Sequence, residues 1–197
     1  MLYLVCHGSS AKSADYTDFS QPLTDGVAQA TQICELAQRV QIQYIVSAPN
    51  RRSIDTTDMY RAYCRSMNKQ CRSHVSYELS QQYLKAPHEI TKGEIAAFGM
   101  NMQNVFGNYP KEVETLDEYH RRVIDWFSNQ FFFRIFQDAP VPTMIVADPV
   151  TIAVISYYIM RNLRYEDVKP VVANLKPGSV LEFGSDGLQL MFTRAIM

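Results

Sequence analysis

The sequence has no surplus of charge of either sign. Nineteen Lys and Arg stand against 20 Asp and Glu, for a formal net charge of −1 over 197 residues. Such a chain carries no global basic field, which argues against binding a nucleic-acid backbone. It also lacks a long hydrophobic run. The aromatic run Phe131-Phe132-Phe133 is broken at Arg134, and no segment reads as a membrane span. The opening Met1-Leu2-Tyr3-Leu4-Val5-Cys6 has neither the charged start nor the length of a secretory leader. The four cysteines, Cys6, Cys34, Cys64 and Cys71, form no C-x-x-C pair and no zinc spacing. These absences imply reduced thiols in an intracellular, cytoplasmic protein that needs no metal and no cofactor. Repeats and low-complexity tracts are missing too. What is present is an ordinary core. Hydrophobic residues at 47% and charged residues at 20% exclude a disordered chain. The length suits one domain over 1–197.

Along the chain, strand-like and helix-like segments alternate. Leu2 to Val5 is an apolar run stopped by Gly8, and reads as a buried strand. Val27, Ala30, Ile33, Cys34 and Leu36-Ala37 have helical spacing, with Thr24 or Asp25 as N-cap. Gln43 to Val46 predicts a second strand, Arg51 to Met67 a helix, and Ser73 to Leu79 a third strand. A weakly periodic excursion follows at about 80–112, with Pro87, Gly93, Gly99 and Gly107. Connections of that length are usually lids or binding loops. Leu116, Tyr119, Val123, Trp126, Phe127 and Phe131 mark an amphipathic helix over Thr115 to Phe136. Thr143 to Ala147 predicts a fourth strand and Val150 to Leu163 an apolar helix. A hairpin of Val180 to Phe183 and Leu188 to Thr193 turns at Asp186-Gly187. The alternation predicts the α/β class: a three-layer α/β/α sandwich on a mainly parallel central sheet.

Ligands of such sheets bind at the carboxyl ends of the strands. Three strand ends therefore matter: Cys6-His7-Gly8-Ser9-Ser10, Ser47-Ala48-Pro49-Asn50-Arg51-Arg52, and Ala147-Asp148-Pro149. They bring a Cys, a His, two Arg and an Asp towards one rim.

Leu2-Tyr3-Leu4-Val5-Cys6-His7-Gly8 resembles the opening of the histidine phosphatase superfamily, the phosphoglycerate-mutase-like fold, whose first strand ends in Arg-His-Gly. Further matches follow in order. Pro22-Leu23-Thr24-Asp25-Gly26-Val27-Ala28-Gln29-Ala30 resembles the family's Pro-Leu-Thr-x-x-Gly-x-x-Gln-Ala, one residue short. Ser47-Ala48-Pro49-Asn50-Arg51-Arg52-Ser53-Ile54-Asp55-Thr56 resembles its Ser-Ser-Pro-Leu-x-Arg-Ala-x-x-Thr. Glu114-Thr115 with Arg122 is similar to its Glu-Ser before an amphipathic helix, and the closing hairpin is also similar.

The resemblance implies a histidine that attacks phosphorus, two arginines and a second histidine around the phosphoryl oxygens, and an acid for the leaving group. His7, Gly8 and Arg52 match. The first Arg is Cys6, the second His falls on Asp148, and the acid falls on Gln81, with Glu78 close by. His7, Arg52, Asp148 and Gln81 are thus the candidate catalytic positions. Cys6, Gly8, Ser9, Ser10 and Arg51 are candidates for ligand binding. The substitutions make the pocket more negative by roughly two to three unit charges, and one unit pair at about 4 Å is worth about 4 kcal/mol at an effective dielectric near 20. Asp148 is expected to favour protonated His7, which is no nucleophile, and Gln81 supplies no proton.

The expectation is a histidine-phosphatase-like protein with a degenerate site. It is not an efficient phosphatase, but binds a small anionic ligand or a partner. Two alternatives stand beside it: a phosphomonoesterase using His7 and Arg52, and an acid–base enzyme using His7 and Asp148 for elimination or isomerisation. Blander roles are also open. His7 could fill the strand end and bond a backbone carbonyl. Arg52 could pair with Asp148. Asp148 could cap the next helix with Pro149 at its first position. Cys6 could be a small buried apolar residue. The ligand set expected is a small anionic or phosphorylated molecule, without nucleic acid or membrane. Phe131-Phe132-Phe133 with Phe136 is a candidate homodimer surface.

Overall fold

The structure, a computed structural model, describes residues 1–8, 24–80, 114–129, 141–163, 165–186 and 189–196. Ser9, Ser10, Gln81, Phe131-Phe132-Phe133 and Phe136 lie outside these, as does the excursion beyond Ser80.

The apolar run at the start becomes β1 (Leu2–Cys6), buried on both faces. Two more short apolar runs become β2 (Tyr44–Ser47) and β4 (Thr143–Ala147). With β3 (Arg72–Val75), β5 (Val180–Asp186) and β6 (Gln189–Ile196) they form one sheet in the order β3-β2-β4-β1-β5-β6. β1, β4, β2 and β3 run parallel, with Val5 opposite Val146 and Ser47 also opposite Val146. β5 is antiparallel to both β1 and β6.

Strand alternation divides the core. Leu2, Leu4 and Cys6 pack under α3 (Leu116–Asp125), α4 (Pro149–Ile159) and α5 (Tyr165–Ala173). Tyr3 and Val5 face α1 (Thr24–Arg39) and α2 (Arg51–Ser66), through Ile33, Ala37, Tyr60 and Cys64. The expected three-layer sandwich is therefore the fold. Tyr60 ties its layer together, its hydroxyl donating to the carbonyls of Ala37 (3.2 Å) and Ile42 (3.1 Å).

Several boundaries differ from expectation. The third strand stops at Val75, and Tyr77–Leu79 forms a 3₁₀ turn. That turn is clamped by Arg122, which bonds the carbonyls of Glu78 and Ser80 and holds Glu114 in a bidentate pair at 2.6 and 2.7 Å. The α3 helix begins at a capping box, Thr115 with Glu118. It widens into a π turn at 126–129, so its regular part is shorter than the apolar pattern predicts. Helix α5 is absent from the sequence reading, because Pro170 interrupts its pattern. The β5–β6 hairpin is longer than expected, since Gly184, Ser185 and Asp186 pair with Met191, Leu190 and Gln189. Among the described residues no helix is long and apolar enough to cross a membrane.

Candidate functional site

The end of β1 is held by backbone on two sides. Cys6 N donates to Ser179 O at 2.8 Å, and His7 N donates to Ala147 O at 3.0 Å. Gly178 N lies 3.1 Å from the carbonyls of both Cys6 and His7. Its φ of +85° belongs to the left-handed region, which glycine enters without steric cost. The Pro177-Gly178 dipeptide is the sequence signal for this turn.

His7 is 1% exposed. Its Nδ1 sits 2.9 Å from Gly8 O. A carbonyl only accepts, so Nδ1 carries the proton and Nε2 carries a bare lone pair whenever the ring is neutral. Nε2 is buried and has no hydrogen-bond partner among the described residues. Burial first, and then the charge of Arg52, push the imidazole below its ordinary value of 6.5; the Gly8 hydrogen bond and Asp148 pull the other way and lose. Asp148 does favour the protonated ring, as expected, but the net shift runs the other way. Desolvation of the ring outweighs a carboxylate whose charge is already engaged elsewhere.

That engagement is visible in α4. Asp148 is 3% exposed and caps the helix, with Pro149 at the first position. Its Oδ1 accepts from Val150 N (2.9 Å) and Thr151 N (3.1 Å), and its Oδ2 from Thr151 Oγ1 (2.5 Å). Thr151 Oγ1 is in turn 2.7 Å from Tyr119 Oη. Both carboxylate oxygens are thus committed to the helix N-terminus, which favours negative charge. No hydrogen bond joins Asp148 to His7, and no ion pair joins it to Arg52, among the described residues. The acid–base dyad is not assembled in this arrangement.

Cys6 is fully buried on the α3–α4 side. Burial, reinforced by Asp148, pushes its thiol up to about 12, so it is a neutral, small apolar filler. Arg52 lies half-buried in the first turn of α2, and its Nε is buried without a partner. Arg51 is exposed and pairs with Asp55 at 2.8 Å. Glu78 accepts from Ser76 Oγ at 2.6 Å.

The two strand ends are joined through Gly8 and α2. Gly8 N donates to Thr56 Oγ1 at 3.3 Å, and Thr56 Oγ1 donates to Arg52 O at 2.8 Å. Gly26, at the start of α1, presses on Gly8 from the other side: a Cβ on Gly8 would lie 2.6 Å from Gly26 O. Both glycines stand in the motifs singled out from the sequence. Asn50 and Thr151 were not singled out for the site. The signal for Asn50 was its cap position before Arg51; nothing local marks Thr151.

Orphaned polar atoms occur at His7 and at the start of α2. His7 Nε2, Asn50 Nδ2, Arg52 Nε, Ser53 Oγ and Thr57 Oγ1 are all buried without partners among the described residues. Buried polar groups are normally paired, and this set contains donors and neutral groups but no carboxylate. Among the described residues no group of three or more His, Cys, Asp or Glu is placed to hold a metal.

The depressed imidazole has a consequence for stability. Below 6.5 the unfolded chain takes up a proton that folded His7 refuses until the pH reaches its lower folded value. Stability therefore falls as pH falls through that window, and His7 contributes no pH dependence above it. In urea titrations from about pH 7.5 to about pH 5, wild type is expected to lose more stability than His7→Asn. Identical slopes would count against a neutral His7.

A family model, that of the histidine phosphatase superfamily (branch 1), matches residues 2–193. Similar solved structures include the alpha-ribazole phosphatase of Shigella flexneri, 17% identical, with a TM-score of 0.63 over 98% of this chain and 94% of that one. The Entamoeba histolytica phosphoserine phosphatase in complex with 3-phosphoglyceric acid is 14% identical, with a TM-score of 0.64 over 98% and 95%. A mycobacterial glucosyl-3-phosphoglycerate phosphatase is 18% identical, with a TM-score of 0.60 over 99% and 96%. A comparison with curated protein sequences finds no match.

Proposed function

Because this chain belongs to the histidine phosphatase superfamily, branch 1, we propose that it binds a phosphate-class anion at the end of β1 and turns it over poorly. The observation that carries this reading is the pair of buried, unpartnered nitrogens, His7 Nε2 and Arg52 Nε. Such nitrogens cost about 1–3 kcal/mol each when left empty, and a phosphate monoanion or ester satisfies both: its oxygens accept from Arg52, and its P–O–H donates to the lone pair of Nε2. The weak turnover follows from charge. Phosphoryl transfer depends on positive charge around the equatorial oxygens. Cys6 offers a neutral buried thiol and Asp148 a carboxylate, and of the two arginines at this rim Arg51 is paired with Asp55, which leaves Arg52 among the described residues. We place the protein in a reducing, cytoplasmic setting, on its free cysteines.

A second reading, residual phosphomonoesterase activity, is favoured by one observation: His7 is held neutral with Nε2 as its lone pair, the form that attacks phosphorus. One experiment separates the two. A phosphomonoester panel is run on wild type, His7→Ala and Arg52→Ala, with inorganic phosphate binding measured by calorimetry. The expected result is phosphate binding that weakens about 100-fold in Arg52→Ala, with hydrolysis in wild type weak and little faster than in His7→Ala. Robust hydrolysis lost in His7→Ala, or a trapped phosphohistidine, would establish the second reading. No phosphate binding by wild type would sink the first.

A further inference from the structure

Asn50 precedes α2 and caps it: its Oδ1 accepts from Ser53 N at 2.9 Å. That bond settles the amide's orientation, since a backbone N–H only donates. Nδ2, with its two hydrogens, must point the other way. Asn50 is 4% exposed, and Nδ2 finds no partner among the described residues. A buried amide nitrogen with two unused hydrogens is a penalty that a hydrocarbon side chain avoids. The motif this segment resembles carries Leu at that position, and this chain has a donor instead.

Its chain neighbours carry further orphaned groups. Arg52, two residues on, is close enough to His7 to depress its pKa. Arg52 Nε and His7 Nε2 are also buried and unpartnered. The Gly8–Thr56–Arg52 hydrogen-bond chain fastens the first turn of α2 to the residue after His7. Asn50 thus brings a third unused polar group to the corner where β1 and β2 deliver their ends. It does so in a chain that has Cys6 where the related motif places an arginine.

We propose that Asn50 is a ligand-binding residue of this pocket, its Nδ2 donating to an oxygen of the bound phosphate-class anion and replacing part of what Cys6 no longer supplies. This rests on the anion-binding reading above. As a neutral donor it recovers a hydrogen bond without recovering the positive charge. Binding is thereby kept and the electrostatic assistance to transfer is not.

The test uses inorganic phosphate and orthovanadate as probes, with calorimetry for affinity and urea unfolding without ligand for the fold. Asn50→Ser keeps an oxygen to cap α2 and removes Nδ2. Asn50→Asp keeps the cap and adds a negative charge. The expected result is a Kd about tenfold higher in Asn50→Ser and at least about 100-fold higher in Asn50→Asp, with ligand-free urea midpoints close to wild type. A purely capping role predicts unaltered affinity in Asn50→Ser, which keeps the cap, and that result overturns the proposal. If Arg52→Ala loses phosphate while Asn50→Ser binds it as wild type does, the pocket stands and the role of Asn50 falls. If wild type binds neither probe, the pocket reading falls and this inference with it.

Discussion

Asp148→Ala is expected to destabilise the fold by about 3 kcal/mol, whereas Asp148→Asn is expected to cost only about 1 kcal/mol and to tighten phosphate binding. The alanine variant removes the acceptor of three hydrogen bonds at once, from Val150 N, Thr151 N and Thr151 Oγ1. All three donors then sit at a helix start with little access to water, and loss of the cap adds to the loss of pairing. The asparagine variant keeps Oδ1 for the two backbone N–H groups. Its Nδ2 donates to Thr151 Oγ1, which turns its own proton to Tyr119 Oη. The direction of the Asp148–Thr151–Tyr119 chain reverses, and only the Tyr119 hydroxyl proton loses its acceptor.

The effect on binding has the opposite sign. Asp148 acts electrostatically on both His7 and Cys6, so its charge is felt at the end of β1. Removing a unit charge roughly 10 Å from an anion changes the interaction by about 1.5 kcal/mol at an effective dielectric near 20, or about tenfold in Kd. Urea titration and phosphate calorimetry on the two variants check both parts. Equal or weaker phosphate binding by Asp148→Asn would falsify the view that Asp148 opposes the anion.

Gly8→Ala has the second large effect. The added methyl would lie 2.6 Å from Gly26 O and 3.3 Å from Gly26 C, backbone atoms of α1 that have no flexible end to move aside. Separating α1 from β1 disturbs the Gly8 N to Thr56 Oγ1 bond and the Nδ1 bond of His7 to Gly8 O. A loss of about 3 kcal/mol is expected, seen as a fall of roughly 6–12 °C in Tm. Phosphate affinity should fall with it, since the lone pair of Nε2 is aimed by that same Gly8 carbonyl. An unchanged Tm would mean that α1 does not bear on the strand end in solution. The paired variant Gly26→Ala controls for α1 itself, because its own backbone carries the close approach.

Much of the fold is written in local periodicity. The buried runs at Leu2 to Val5 and Thr143 to Ala147 could hardly be anything but central strands of a covered sheet, since both faces are apolar. The elements that escaped are those with mixed signals. Pro170 hides α5. The β5–β6 ladder runs through Gly184, which by itself reads as a turn residue. The edge strand β3 is exposed along its whole length, so no apolar pattern marks where it should end.

The site divides in the same way. The residues that stand together at the strand ends were legible: His7, Gly8, Arg52 and Asp148 lie in motifs there, and their types can be read directly. The state of each group was not. By sequence Asp148 is simply one negative charge near His7, and the inference of a protonated imidazole follows. In the fold that charge is taken up by α4 and by Thr151, itself 32 residues from the Tyr119 it bonds, while burial and Arg52 leave His7 neutral. Residue types, element periods and the family motifs are short-range properties, and the chain carries them openly. Protonation, pairing and orphaned donors depend on which distant groups share a buried volume, and only tertiary packing decides that.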